Sequence, residues 1–162
     1  MAQAATRERR QGAARKSAAS DRELKLVRRF PAKPERVFRA FADPKRLVRW
    51  WGPKGITIPV CEMDVRPGGR WLTVMRAPDG SDMTVSGTYR EIEAPSLLVF
   101  TWAWHEGAKR GHETIVTVAL KPHGAGTELT LTQSRFESAI ARDMHAQGWS
   151  SSFDCLAEYL KR

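Results

Sequence analysis

One polar stretch of the chain combines two side-chain types that bind metal ions. His105 is followed by Glu106, and His112 by Glu113. Imidazole nitrogens and carboxylate oxygens are common zinc ligands. A metal site also needs ligands from other parts of the fold, and the spacing of the remaining candidate ligands indicates no third element that supplies one. We therefore interpret this stretch as a solvated hairpin loop, and predict no metal ion and no cofactor.

A single histidine stands apart from that loop. His145 precedes Trp149 by one helical turn, so it could reach the mouth of an interior pocket as a proton donor or as an anchor for a ligand. A catalytic imidazole needs a positioned partner, and the sequence shows none. The alternative is a half-buried side chain with its polar tip outward. No catalytic residue is assigned, and whether the protein is an enzyme stays open.

The strongest chemical signal is a set of large aromatic side chains in separate predicted segments of a chain that holds six tryptophans. Simple core packing would explain most of them. Small residues at helical spacing, including Gly148 and Ser152, favour a pocket beside these rings, because apolar pockets with a few polar groups are the usual small-molecule sites. The predicted lining is Trp51, Trp71, Met83, Val85, Tyr89, Phe100, Trp102, Met144, His145, Gly148, Trp149, Ser152 and Phe153.

The elements that must position these residues follow from hydrophobic periodicity and turn signals. Two short helices are predicted after the first strand, one beginning near Pro34 and one over 45–51. Hairpin turns between successive strands indicate an antiparallel meander. The predicted strands are 23–30, 56–65, 70–76, 82–92, 97–104, 113–121 and 127–133.

The C-terminal segment predicts one long helix. Ser134 and Glu137 match a capping box at its start. An apolar stripe then recurs at helical spacing and predicts the buried face of the helix. Its members are Trp149, Phe153, Leu156 and Leu160. The fold class that results is α+β, with a curved antiparallel sheet wrapped around this helix.

Composition limits the classes of function. The 162 residues carry a net charge of +9, and residues 1–22 alone carry +4. No nucleic-acid-binding motif accompanies this charge, so nucleic acid is not a predicted partner. No apolar run approaches the length of a membrane span. Without an apolar leader, and with two cysteines at no metal or redox spacing, the predicted location is the cytoplasm.

Several motifs of this chain resemble those of one known family and occur in the same order along the sequence. They are residues 28–41, the pair Trp50-Trp51, Arg-Pro-Gly-Gly at 66–69, Pro-Asp-Gly at 78–80, 87–92 through 100–102, and Gly148-Trp149. The chain is similar here to the activator of heat-shock protein 90 ATPase homologue family, within the START/SRPBCC superfamily that includes polyketide cyclases and pollen allergens. The resemblance implies a single helix-grip domain over 21–162. Residues 1–20, which contain no aromatic or β-branched apolar residue, are predicted to form a flexible basic tail.

The function predicted from these observations is binding of a small hydrophobic or aromatic molecule in an interior cavity. One alternative is a cyclase- or hydrolase-like enzyme that uses the same cavity, with Tyr89 or His145 transferring a proton. Another is a chaperone- or protein-interaction module. The chaperone activators place a second domain before this one, and here only some twenty residues precede it, which argues against chaperone activation. Both a monomer and a homodimer fit the sequence.

Overall fold

The computed structural model describes residues 21–162, so the tail predicted over 1–20 lies outside the described residues. The eight strands are β1 Leu24–Phe30, β2 Thr57–Met63, β3 Arg70–Arg76, β4 Asp82–Glu93, β5 Leu97–Glu106, β6 Lys109–Arg110, β7 Thr114–His123 and β8 Gly126–Ser134. They form one curved, antiparallel, unclosed sheet in the order β1-β8-β7-β5-β4-β3-β2, and β6 pairs with the end of β5. This confirms the predicted α+β helix-grip class.

Two short helices, α1 (Pro34–Ala42) and α2 (Pro44–Leu47), follow β1. Pro34 occupies the first turn of α1, where its missing N–H costs nothing. The carboxylate of Asp43 caps α2 by accepting a hydrogen bond from the Lys45 N–H. The prediction of helix over 45–51 was too long. Beyond Leu47 the chain continues in tight turns with mixed i to i+3 and i to i+4 backbone bonds, which carry the two adjacent tryptophans inward.

The long helix α3 (Ala139–Leu160) buries the predicted stripe, from Trp149 to Leu160. Phe153 is completely buried and meets Phe30 of β1 edge-to-face, with ring centroids 6.2 Å apart. Burying a side chain of this size stabilises a fold by roughly 1.5–3 kcal/mol. The stripe therefore fixes α3 against the concave face of the sheet.

The predicted capping box at the start of this helix was wrong. Ser134 still pairs with Ile115 in the β7–β8 ladder, and Arg135 then adopts a left-handed conformation with φ of 69°. The chain turns at this residue. Phe136, which lies between the turn and the start of α3, is buried. Ser138 is the actual cap, since its hydroxyl accepts the Ala141 N–H at 3.1 Å.

The hairpin loop predicted around His105 and His112 is also shorter than expected, because strands occupy part of it. Strand β5 continues through Glu106, and Gly107 turns the chain with a positive φ of 61°. The two residues of β6 then pair back onto β5.

In the described part of the chain, no helix has the length and apolar character needed to cross a membrane.

Candidate ligand-binding cavity

A cavity of about 310 Å³ opens between α3, strands β3 to β5 and the segment that follows α2. Seven of the twelve lining residues in the described part of the chain are tryptophan or methionine, and none of the twelve is Lys, Arg, Asp or Glu. The lining residues are Trp51, Gly52, Pro53, Met75, Met83, Trp102, Trp104, Met144, His145, Gly148, Trp149 and Ser152. A hydrophobic molecule of modest size would fit such a space.

Ordered contacts hold the walls of this cavity. Trp51 donates its indole N–H to Thr73 Oγ1 at 3.2 Å, which ties the segment after α2 to β3. The backbone N–H of Lys54 donates to Ser151 Oγ at 3.1 Å and ties the same segment to α3. Walls that are held in place before a ligand arrives reduce the entropic cost of binding.

Gly148 creates part of the empty space. A Cβ atom built on this residue would meet nothing within 4 Å other than its own helix backbone. On the next turn of the helix, the Ser152 hydroxyl donates to the Gly148 carbonyl at 2.9 Å. This bond satisfies the hydroxyl as a donor and does not use the lone pairs of its oxygen. The row of small residues on α3 therefore leaves the cavity open on the helix side.

His145 is fixed in one tautomer by two hydrogen bonds. Its Nδ1 lies 2.7 Å from the Ala141 carbonyl, which can only accept, so Nδ1 carries the proton. Its Nε2 accepts the indole N–H of Trp104 at 2.9 Å. Both ring nitrogens are therefore occupied within the protein, and the imidazole links α3 to β5 at the cavity wall.

The mouth of the cavity has an apolar rim. Met144 is 68% exposed and Met83 41% exposed, and both line the cavity. Ile140, one helical turn before Met144, is 74% exposed. Long, flexible methionine side chains adapt to ligands of different shape.

A family model described as activator of Hsp90 ATPase homolog 1-like protein matches residues 31–161, which is most of the chain. The chain belongs to this family. The Hsp90 activator homologue family is part of the START/SRPBCC helix-grip superfamily, whose fold supports ligand binding in general. No curated protein matches the chain.

Solved structures agree with membership of the Hsp90 activator homologue family. The AHSA1 protein from Silicibacter pomeroyi is 32% identical, with a TM-score of 0.79, over 86% of this chain and 97% of that one. A protein from Chromobacterium violaceum is 30% identical, with a TM-score of 0.79, over 87% and 99%. CalU16 from Micromonospora echinospora is 25% identical, with a TM-score of 0.64, over 85% and 75%.

In this member of the family, the predicted site residues fall into two groups. Those that the structure places around the cavity are Trp51, Met83, Trp102, Met144, His145, Gly148, Trp149 and Ser152. The remainder lie outside its lining: Val85 and Phe153 are fully buried in the core, and Trp71, Tyr89 and Phe100 surround a separate void. That any of them binds a ligand stays a prediction.

The separate void measures about 20 Å³, too small for an organic ligand. Tyr89 was predicted to line the same pocket as Trp149, but it lies beside this void instead. Trp51 lines both the void and the cavity. Its ring contacts those of Trp71 and Trp149, so Trp51 separates the void from the cavity. Burial, followed by electrostatic repulsion from the ionised forms of Cys61 and Asp64, raises the pKa of the Tyr89 phenol well above its usual value. Tyr89 is therefore poorly suited to transfer a proton in the cavity.

Four cavity residues were not predicted: Gly52, Pro53, Met75 and Trp104. Strand periodicity could have found two of them. Met75 follows Trp71 at a spacing of four on β3, and Trp104 follows Trp102 at a spacing of two on β5, so each pair shares a face. Gly52 and Pro53 belong to an irregular segment, for which periodicity gives no signal.

The two histidines considered as metal ligands have other contacts. His105 Nε2 lies 2.7 Å from Ser86 Oγ, and His112 Nε2 lies 2.5 Å from the Arg135 carbonyl. Among residues 21–162, no three His, Cys, Asp or Glu side chains are grouped so that they could hold a metal ion.

We therefore expect stability to be independent of divalent metal ions. Overnight dialysis against EDTA should leave the thermal unfolding midpoint unchanged, because the histidines are satisfied by Ser86 and Arg135 rather than by a metal. The measurement is a pair of circular dichroism melts, with and without chelator. A midpoint several degrees lower after chelation, restored by Zn²⁺, would contradict this expectation.

Proposed function

We propose that the protein reversibly binds a small apolar or aromatic molecule in the cavity between α3 and the sheet, without covalent chemistry. The observation that carries this proposal is a cavity of about 310 Å³ walled by tryptophans and methionines, in a fold of ligand-binding type. Burying apolar ligand surface against such walls supplies the binding energy. The exposed Met83 and Met144 at the mouth would close over the ligand.

The contacts of His145 weigh against the enzymatic alternative. Among residues 21–162, it is the one imidazole that lines the cavity. Both of its nitrogens are engaged, by Ala141 and Trp104. A general base must reach the proton that it removes, and this ring would first have to break a bond with the protein. No described contact therefore favours a cyclase- or hydrolase-like reaction over binding.

Methionine methyl groups provide a direct test of binding in solution. Protein labelled with ¹³C at the methionine methyls would be titrated with 2-ethylnaphthalene. We expect the Met75, Met83 and Met144 resonances to shift saturably, because these residues line the cavity. Met63, which borders the separate void, is the internal control and should shift little.

Native mass spectrometry of protein purified from its own host would complement this titration by revealing a retained ligand. If none of the three cavity methionines responded to naphthalene probes at their solubility limit, the proposal would be wrong. A salt-sensitive complex with another protein, formed by the same sample, would then favour the protein-interaction alternative.

A further inference from the structure

Hydrogen bonds satisfy nearly all of the tryptophan indoles in this protein. Five of the six N–H groups donate to an acceptor in the described residues, at 2.8–3.2 Å. The pairs are Trp50 with the Ala40 carbonyl, Trp51 with Thr73, Trp71 with the Thr101 carbonyl, Trp104 with His145, and Trp149 with Gln133.

Trp102 is the exception. Its side chain is buried, with 5% of the residue exposed, and its Nε1 has no hydrogen-bond partner in the part of the chain that the structure describes. Leaving a buried N–H without an acceptor is unfavourable, and such groups are rare in folded proteins. Trp102 is also a wall of the cavity. The unpaired donor thus belongs to a residue of the candidate site.

The surrounding side chains have little to offer this donor. Trp102 packs against the rings of Trp51, Trp104 and Trp149, with centroids 5.3–5.7 Å away. His145, whose ring centroid lies 6.2 Å from that of Trp102, offers no free acceptor, because its Nε2 already accepts from Trp104. Ser152 Oγ on the same cavity wall keeps its lone pairs but is not a partner of Trp102 Nε1. The Nε1 atom is covered by its neighbours, so a ligand oxygen would remove the deficit by displacing one of the side chains that cover it.

Charge limits which acceptor is suitable. The described residues that line the cavity include no Lys, Arg, Asp or Glu. A carboxylate or phosphate buried here would lack a counter-ion, which is strongly unfavourable. A neutral oxygen, such as that of a ketone, ester or ether, costs far less to bury and can accept the indole N–H.

We propose that the natural ligand is an uncharged molecule with an apolar or aromatic body and a neutral oxygen acceptor, and that this oxygen accepts the Nε1–H of Trp102. This inference rests on the proposed function and adds a polar requirement to it. Trp102 would then determine specificity, selecting oxygen-bearing ligands over hydrocarbons of the same shape.

The test compares two probes of nearly equal size. 2-Acetylnaphthalene and 2-ethylnaphthalene differ by a carbonyl in place of a methylene, and their dissociation constants would be measured calorimetrically for the wild type and for Trp102→Phe. The phenyl ring keeps an aromatic wall and removes the N–H. We expect the preference for the ketone, expressed as the ratio of the two constants, to fall about five- to tenfold in the variant. Comparing ratios cancels the different solubilities of the probes.

Trp104→Phe is the matched control. It removes an equal side-chain volume from the same wall but takes away an N–H that already has a partner in His145. The ketone preference should therefore survive in this variant, even if both probes bind more weakly. An equal fall in both variants would overturn the role of Trp102, because the effect would then come from lost ring surface.

A second measurement does not depend on the variants folding. In wild-type protein labelled with ¹⁵N at the indoles, the Trp102 N–H resonance should move downfield with the ketone and not with the hydrocarbon. If both probes bind and neither the ratio nor this resonance responds to the carbonyl, the polar inference is wrong while the proposed function stands. If neither probe binds, both are wrong.

Discussion

Replacing Gly148 by leucine is expected to weaken binding of 2-ethylnaphthalene by at least about tenfold while the fold survives. The new side chain would project into open space, because nothing lies within 4 Å of a Cβ at this position apart from the helix itself. It would occupy volume that the ligand needs. Leucine is also a better helix former than glycine by up to about 1 kcal/mol, so the free energy of unfolding should rise as affinity falls.

Gln147→Leu provides the control for this variant. Gln147 is exposed, one residue earlier on the same helix, and does not line the cavity. Leucine there should leave probe affinity unchanged. The measurements are calorimetric titration of the probe and chemical denaturation of each variant. If Gly148→Leu lowered stability by about 1–3 kcal/mol, as expected for an overpacked core, and the probe still bound, the cavity would not be the site.

Gly87→Ala should have the opposite effect, a loss of at least about 3 kcal/mol of unfolding free energy from one added methyl group. Gly87 pairs with Trp71 across β3 and β4. A Cβ at this position would overlap the Thr101 carbonyl and come within 2.5 Å of Trp71 Nε1. Those two groups are hydrogen-bonded to each other at 3.2 Å, so neither can move without breaking a buried contact.

Gly148→Ala is the matched control, since it makes the same substitution at a glycine where an added Cβ meets open space. It should raise stability slightly, through helix propensity, whereas Gly87→Ala should lower it severely. Denaturant titration of both variants measures the difference. If Gly87→Ala unfolded at nearly the wild-type denaturant concentration, the close approach of β4, β5 and Trp71 would not exist in solution.

The sequence was sufficient for the fold class and for the buried face of α3. Alternation along the strands and a four-residue stripe on the helix leave few other arrangements for a chain of this length. The first residue of α3 could not be predicted from the sequence pattern. Ser134 has the residue type and spacing of a cap, but the β7–β8 ladder retains it, because pairing continues to the end of β8.

The candidate site was harder to predict. Hydrophobic periodicity assigns each side chain to one face of its strand or helix, but it does not show how the interior is divided into separate spaces. Tyr89 and Trp102 face inward from adjacent strands, yet they border different spaces. Trp51 separates those spaces, and it comes from an irregular segment whose path is set by tertiary contacts with Thr73 and the neighbouring rings. Gln133, completely buried and bonded to Trp149, likewise resembles an ordinary strand residue in the sequence.

The tryptophans also form one continuous optical system. Trp51 lies 5.4–6.1 Å from Trp50, Trp71, Trp102 and Trp149, and Trp102 lies 5.5 Å from Trp104, measured between ring centroids. At such separations an excited indole passes its energy to a neighbour faster than it emits. Excitation should therefore migrate among these rings before emission, and a quencher in contact with one ring should reduce the emission of the whole set. Coupled transitions of the same rings should give an intense near-ultraviolet dichroism that disappears when the rings move apart.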